Sequence, residues 1–236
     1  AAILVFFAQK DYLSDALTWE LKSKEALEKA AQAEATTPPK MEESAFWKKR
    51  AEEYKKAADY ERKAIEANNS EKEEERASLF LAGRSVHATA EYQIKEAQAR
   101  KAGKVTIASE YGKLAQRCES ALGYYLKGAT AYAAGKISEG NGFYHAAEKL
   151  EKAIEAEEAG KPAVAQKWRD AAALYERSVE PYLKAAQAYA AGKTDEGTSW
   201  NSAGFGLTQT AKKLGKAIEA EEAGKPAVAQ KWREAA

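Results

Sequence analysis

The side chains best suited to chemistry in this 236-residue chain are its two histidines, each followed closely by a glutamate. Glu91 comes four residues after His87, and Glu148 comes three residues after His145, so on a helix each pair would share a face. Helical bundles build di-metal centres from Glu-x-x-His motifs, in which the glutamate precedes the histidine by three residues. Neither histidine has a glutamate at that position. We therefore expect no metal site and no cofactor, and interpret both histidines as solvated or capping residues.

Two runs of glutamate and one cysteine are the other groups that could react. The glutamates end helices rich in lysine, which is typical of a solvated charged face rather than of paired acid and base catalysts. Cys118 takes the place that Tyr175 holds in the next repeat, which favours a small core residue. No phosphate loop, nucleotide fingerprint or Ser-His-Asp set is present, so the chain is expected not to be an enzyme and to have no catalytic residues. The glutamates are Glu155, Glu157, Glu158, Glu219, Glu221 and Glu222.

The composition predicts an all-α protein. Charged residues make up 31% of the chain and apolar residues 45%, about half of them alanine, with five prolines and 15 glycines. The net charge of +1 argues against a nucleic-acid groove or a polybasic membrane patch, since both need clustered excess Lys and Arg. The only continuous apolar run, residues 1–8, is too short to span a bilayer and is interpreted as a helix end that packs on a neighbour. A soluble protein, cytoplasmic or exported, is expected.

Internal repeats determine the organisation. Residues 152–172 recur 64 residues later as residues 216–236 with a single Asp-to-Glu difference, whereas residues 126–136 recur 57 residues later as residues 183–193. The seven extra residues fall in the segment 197–206, and seven residues are two helical turns, so the insertion lengthens a helix without rotating it. The units alternate between 64 and 57 residues. A single helical-repeat domain is expected, with units at 1–40, 41–104, 105–161, 162–225 and 226–236.

Glycine and proline mark the predicted helix ends. Five Ala-Gly-Lys tripeptides are natural left-handed C-terminal caps, and in two of them proline comes two residues after the glycine, where a first helical turn tolerates it. Ser70 and Glu73 have the spacing of a capping box. About eight long helices, joined by short loops into antiparallel hairpins of a solenoid or extended bundle, are predicted at 3–35, 41–68, 71–101, 105–133, 138–158, 162–190, 195–222 and 226–236.

The last unit stops inside a pattern that continues in the preceding repeats. This predicts that the chain is a fragment of a longer protein, and that its truncated repeat ends support self-association.

An aromatic stripe of period seven predicts the helix seams. Trp168, Tyr175, Tyr182 and Tyr189 alternate with small or branched residues such as Ala172, Val179 and Ala186. Large rings against alanine allow close helix approach while each ring buries a large area. Trp168 and Tyr175 are interpreted as core. For Tyr182 and Tyr189 the alternative of a row of hydroxyl groups along a concave groove stays open.

The segment 197–206, Gly-Thr-Ser-Trp-Asn-Ser-Ala-Gly-Phe-Gly, departs from the charged, Ala-rich pattern. One interpretation is a close helix crossing, in which Gly204 lets a neighbouring backbone approach, as Gly83 would at the matching position. The other is a recognition surface, because exposed aromatic and Asn side chains are typical of interfaces. Trp200, Asn201 and Phe205, with Tyr182 and Tyr189, are the candidate protein-binding residues.

The hairpins ending in Ala-Tyr-Ala-Ala-Gly-Lys resemble tetratricopeptide arrays in style, although that family has a period of about 34 residues and shorter helices. The chain is also similar to uncharacterised long-helix repeat proteins of amoeba-associated intracellular bacteria. The stretches that carry this resemblance are residues 188–193, 196–204 and 216–226. The resemblance implies a fold, with no catalytic residues to transfer.

These observations favour a non-enzymatic scaffold for protein–protein interaction or structural assembly. Two alternatives remain open: an exported bacterial repeat protein that engages a host target, and a helical-bundle carrier of a small molecule or metal. The expected partner is another protein.

Overall fold

Long helices make up the computed structural model of the protein, which describes residues 2–69 and 72–236, and the side chains of residues 14–67 and 72–236. Within those ranges the chain forms eight helices and no strand, which confirms the predicted all-α fold of antiparallel hairpins. The predicted bounds lie within two residues of the observed ones. The helices are α1 (Ala2–Glu34), α2 (Met41–Asn69), α3 (Glu73–Lys101), α4 (Val105–Ala133), α5 (Ile137–Glu158), α6 (Pro162–Ala190), α7 (Thr194–Glu222) and α8 (Pro226–Ala235).

Two of the sequence-based predictions concern residues that the structure does not describe. Ser70, the first residue of the proposed capping box, lies outside the described residues. The side chains of the apolar run 1–8 also lie outside them. In the part of the chain that is described, no helix combines the length and the hydrophobicity of a membrane span.

The chain divides into two compact units, and the boundary between them in the sequence falls within α4. In the first unit, which ends at Leu126, α2 packs against α1 and α3. In the second, from Lys127 to Ala236, α6 packs against α5 and α7, and α7 also contacts α8. Each unit therefore buries its own set of helix faces.

The Ala-Gly-Lys turns end the helices as the sequence predicts. At Gly135, φ is +71°, a left-handed conformation that glycine adopts without a Cβ penalty. The Gly135 N–H donates to the carbonyl of Tyr132 at 2.9 Å, and the Lys136 N–H donates to that of Ala131 at 2.9 Å. This pair of hydrogen bonds is the Schellman motif, and the same pair recurs at Gly192.

The two helices that differ by the predicted insertion differ in length accordingly. Helix α5 has 22 residues and α7 has 29. Both present their buried faces to α6, since whole pairs of turns leave the phase of a helix almost unchanged.

Aromatic rings against alanine form much of the core, as predicted. Trp168 is 2% exposed and packs with Ala153, Ala156, Ala165 and Ile218. In the first unit, Trp19 and Tyr54 lie in similar clusters with alanine.

The predicted seam is wrong at the end of α6. Tyr189 is 46% exposed and Ala186 is exposed, while Ala185 and Ala188 are buried in their place. Tyr189 and Ala186 are exposed because the C-terminal end of α6 borders an open cleft on that side. Cys118 is buried, as expected for a core residue.

Candidate functional site

A cleft of roughly 630 Å³ opens in the second unit between three elements. Its base is the C-terminal half of α6, which contributes Tyr182, Leu183 and Tyr189. Residues 135–139, the end of the α4–α5 turn and the start of α5, form one side, and Asn201 of α7 contributes to the other. The lining along α6 is mostly apolar, whereas Lys136, Ser138, Glu139 and Asn201 contribute polar groups.

The two tyrosines of the Ala-Tyr-Ala-Ala-Gly-Lys turns are fixed by glycine. A Cβ built on Gly140 would lie only 2.5 Å from the nearest carbon of the Tyr132 ring. A Cβ built on Gly197 would lie 2.6 Å from the nearest carbon of the Tyr189 ring. Each glycine comes eight residues after its tyrosine. The residue after each glycine accepts a hydrogen bond from the tyrosine hydroxyl group. Tyr132 donates to Asn141 Oδ1 at 2.8 Å, and Tyr189 donates to Thr198 Oγ1 at a longer 3.4 Å. The glycines thus hold each ring flat against the following helix.

We expect Gly140→Ala to lower the free energy of unfolding of the second unit by about 1–3 kcal/mol, because the new methyl group displaces the buried Tyr132 ring. In an open helix the same change is stabilising by up to about 1 kcal/mol. Gly206→Ala is the matched control, since no atom lies within 4 Å of a Cβ there. Urea denaturation followed by circular dichroism measures both. The same sign for the two variants would contradict the ring contact.

Tyr182 shows that the close-crossing interpretation of Gly204 needs correction. A Cβ on Gly204 would lie 3.0 Å from the Tyr182 ring, so a side chain and not a backbone approaches this glycine. The Tyr182 hydroxyl is 3.4 Å from Thr208 Oγ1. At Gly83 the crossing interpretation holds, because the carbonyl oxygen of Ala57 comes within 3.0 Å of the Cβ position.

The five candidate binding residues separate into three inside the cleft and two outside it. Tyr182, Tyr189 and Asn201 line the cleft. Trp200 does not line it, but stacks under the ammonium group of Lys184, 4.5 Å from the ring centroid. Phe205 is 56% exposed on α7, also outside the cleft.

No family model and no curated protein matches this chain. The site is therefore interpreted from its own geometry.

Sequence reasoning missed the residues that complete the cleft. Leu183 and Ile137 line it, yet neither lies on the aromatic stripe. The signal that could have located them is the short loop between α5 and α6, which makes these helices antiparallel and so brings the start of α5 beside the end of α6.

In the first unit, a cluster of polar side chains surrounds His87. Lys22 Nζ donates to Glu91 Oε1 at 2.7 Å and lies 2.8 Å from His87 Nε2, and the Tyr54 hydroxyl donates to the same carboxylate at 2.9 Å. The His87 ring stacks on Trp19 with 5.5 Å between centroids. Burial, and then the Lys22 ammonium group, lower the pKa of His87 to about 4. The imidazole is thus neutral at pH 7, and its Nε2 accepts a hydrogen bond from the Lys22 ammonium group.

Glu91 stays ionised in this cluster. Burial by itself raises its pKa, but the hydrogen bonds from Lys22 and Tyr54 outweigh burial and lower the pKa below the usual value. All four polar groups thus satisfy one another, which indicates a structural cluster that joins α1, α2 and α3.

His145 makes a similar contact in the second unit. Its Nδ1 lies 2.7 Å from Glu148 Oε2, and its ring lies 5.1 Å from that of Tyr175. Burial raises the pKa of Tyr175 to about 12. The interpretation of the histidines as solvated or capping residues is therefore wrong. Both are half-buried, because the helix face that carries each histidine packs against an aromatic ring of the core, Trp19 for His87 and Tyr175 for His145. Among the described residues, no three His, Cys, Asp or Glu side chains come together as a metal site would require.

Of the six glutamates at the helix ends, four are exposed as expected, and only Glu157 and Glu221 are half-buried. Glu157 pairs with Arg169 of α6, and Glu221 pairs with Lys167 at 2.6 Å and with Arg233 of α8. These carboxylates bridge neighbouring helices at the turns that do not contain tyrosine.

Proposed function

We propose that this protein is a non-enzymatic helical-repeat scaffold that binds a polypeptide segment in the cleft of its second unit. The observation that carries the proposal is the grouping of Tyr182, Leu183 and Tyr189 along α6, with Asn201 beside them. Tyrosine is enriched at protein interfaces because it combines a large apolar ring with a hydroxyl group and has few rotatable bonds.

The rings in the cleft are already ordered before binding. Gly197 supports Tyr189 and Gly204 supports Tyr182, so neither ring has to be immobilised when a partner arrives. Preorganisation of this kind lowers the entropic cost of association.

The chemistry of the lining favours one kind of partner. An apolar side chain of the partner fits between the tyrosine rings and Leu183, while Lys136, Glu139 and Asn201 offer hydrogen bonds to a peptide backbone at the rim. A short segment with one or two large apolar residues among polar ones matches this arrangement.

The proposal is tested by selecting random displayed peptides on the full chain and measuring their affinities by fluorescence anisotropy. We expect Leu183→Glu and Tyr189→Ala each to weaken the selected peptides at least about tenfold, because a charge or a cavity replaces the apolar contact. Ile107→Glu is the control: this residue is 41% exposed on α4 and does not line the cleft.

The proposal fails if no peptide is enriched, or if the enriched peptides bind Leu183→Glu as tightly as the unsubstituted chain. It also fails if Ile107→Glu weakens them equally. Unchanged circular dichroism of each variant shows that the fold is intact.

A further inference from the structure

The cleft of the second unit exists because α5 is two turns shorter than α7, with 22 residues against 29. Gly142 of α5 packs against α6, where an added Cβ would lie 2.7 Å from Val179 Cγ2. Because the two helices are antiparallel, the start of α5 at Ile137 lies opposite the residues that follow Tyr182. Helix α6 continues to Ala190, so about two of its turns, or roughly 10 Å, extend past α5 and form the base of the cleft.

Two tyrosine rings lie along this uncovered part of α6. Tyr182 and Tyr189 both line the cleft, and each is supported by a glycine of α7, Gly204 and Gly197 respectively. The two tyrosines are seven residues apart, which is two helical turns, so their side chains leave nearly the same face of α6 about 10.5 Å apart. A bound segment therefore meets two ordered aromatic rings at that separation.

This separation distinguishes between the backbone conformations that a bound segment can adopt. A polyproline II helix has three residues per turn and rises about 3.1 Å per residue, so residues i and i+3 share a face and lie about 9.3 Å apart. In a β-strand, residues on one face lie about 6.8 or 13.6 Å apart, and neither distance matches. An isolated α-helix shorter than about 12 residues is marginal in water, and the cleft is only two turns long. One turn of polyproline II helix fits both the length of the cleft and the spacing of the rings.

The charges in and beside the cleft are already paired. Lys136 lies 3.6 Å from Glu139 within the lining, and Lys184 of α6 pairs with Glu180 at 2.7 Å. An uncharged segment complements this surface, because an acidic or basic segment would have to compete with these pairs. Asn201 adds an amide group that can donate to a peptide carbonyl, and a polyproline II helix leaves its carbonyl groups without internal hydrogen bonds.

We propose that the cleft binds an uncharged segment with the pattern Pro-x-x-Pro in the polyproline II conformation, with one proline ring on Tyr182 and the other on Tyr189. This inference rests on the proposed peptide-binding function and specifies the chemistry of the ligand. Proline-rich segments bind aromatic-lined grooves because their conformation is formed in advance, so that little entropy is lost on binding.

The test uses the full chain and labelled synthetic peptides that contain two prolines in a background of glutamine. The prolines are separated by one, two or three glutamines. By fluorescence anisotropy we expect saturable binding of the Pro-x-x-Pro peptide, and affinities at least about tenfold weaker for the other two, whose second proline no longer faces a tyrosine ring.

Two variants of the chain locate the bound peptide. Tyr189→Ala is expected to weaken the Pro-x-x-Pro peptide at least about tenfold, because one of the two rings is lost. Phe205→Ala is the matched control and is expected to leave the affinity unchanged, since Phe205 is an aromatic residue of α7 that is 56% exposed and does not line the cleft. Circular dichroism of each variant verifies that the fold is intact.

The proposal is overturned if the Pro-x-x-Pro peptide does not bind, if the three peptides bind equally, or if Phe205→Ala weakens binding as much as Tyr189→Ala does. Failure of this proposal is distinguishable from failure of the proposed function. Peptides selected from a random library that lack this proline spacing, yet bind the chain and are weakened by Leu183→Glu, would leave the peptide-binding function in place and overturn only the polyproline II ligand.

Discussion

Trp168→Ala is expected to lower the free energy of unfolding of the second unit by about 3–5 kcal/mol. The indole is 2% exposed and packs with alanines of α5 and α6 and with Ile218 of α7. The surrounding alanines have no side-chain freedom with which to fill the space, so the cavity persists. The ammonium group of Lys152, 4.5 Å from the ring centroid, also loses its aromatic partner.

The measurement is equilibrium unfolding in urea, with Trp200→Ala as the control. Trp200 is half-buried and likewise lies under a lysine, Lys184, but on the outer part of α7. Trp200→Ala is expected to lower the free energy of unfolding by less than about 1.5 kcal/mol, since only a small cavity forms at a partly exposed site. Equal losses for the two variants would show that Trp168 does not have the core role assigned to it.

Glu61→Met is expected to stabilise the first unit at alkaline pH by about 2–4 kcal/mol and to remove most of the pH dependence of its unfolding. Glu61 is 0% exposed, and neither of its carboxylate oxygens has a hydrogen-bond partner. Burial, and then the charge of Asp15, raise its pKa to about 9. The folded chain therefore keeps this proton at neutral pH.

The direction of the pH dependence follows from that raised pKa. The unfolded chain releases the proton above the ordinary glutamate pKa of 4.5, so the contribution of Glu61 to stability is complete below that value. It is lost progressively as the pH rises from 4.5 toward 9.

Urea unfolding at a series of pH values between about 5 and 9 measures this slope. The control is Glu52→Met, on an exposed position of the same helix, which is expected to leave the slope unchanged. A slope that persists in Glu61→Met would assign the pH dependence to another group.

The helices could be predicted from the sequence because their ends are local. An Ala-Gly-Lys turn needs only one left-handed residue, so Gly135 and Gly192 define helix ends without reference to any other part of the chain. The length difference between α5 and α7 was equally readable, since it is a count of residues between two copies of one motif.

The contacts of the site are not local, and this is why part of the site was missed. Asn201 lines the cleft and Trp200 does not, although they are neighbours, because successive residues on a helix point about 100° apart. Composition gave no means of choosing between them. Glu61 was hidden for a related reason: it lies in a helix rich in Lys and Glu, where only the packing of α1 and α3 shows which glutamate is enclosed.

The two kinds of turn in the second unit give its two ends different responses to ionic strength. At one end, Tyr132 and Tyr189 rest on glycines, and these contacts involve no charge. At the other end, Glu157 pairs with Arg169 and Glu221 pairs with Arg233. Mobile ions screen exposed charge pairs over about 10 Å at 0.1 M salt but leave ring contacts almost unaffected. Salt is therefore expected to weaken the contacts between helices at the end joined by Glu157–Arg169 and Glu221–Arg233 more than the ring contacts at the end that borders the cleft.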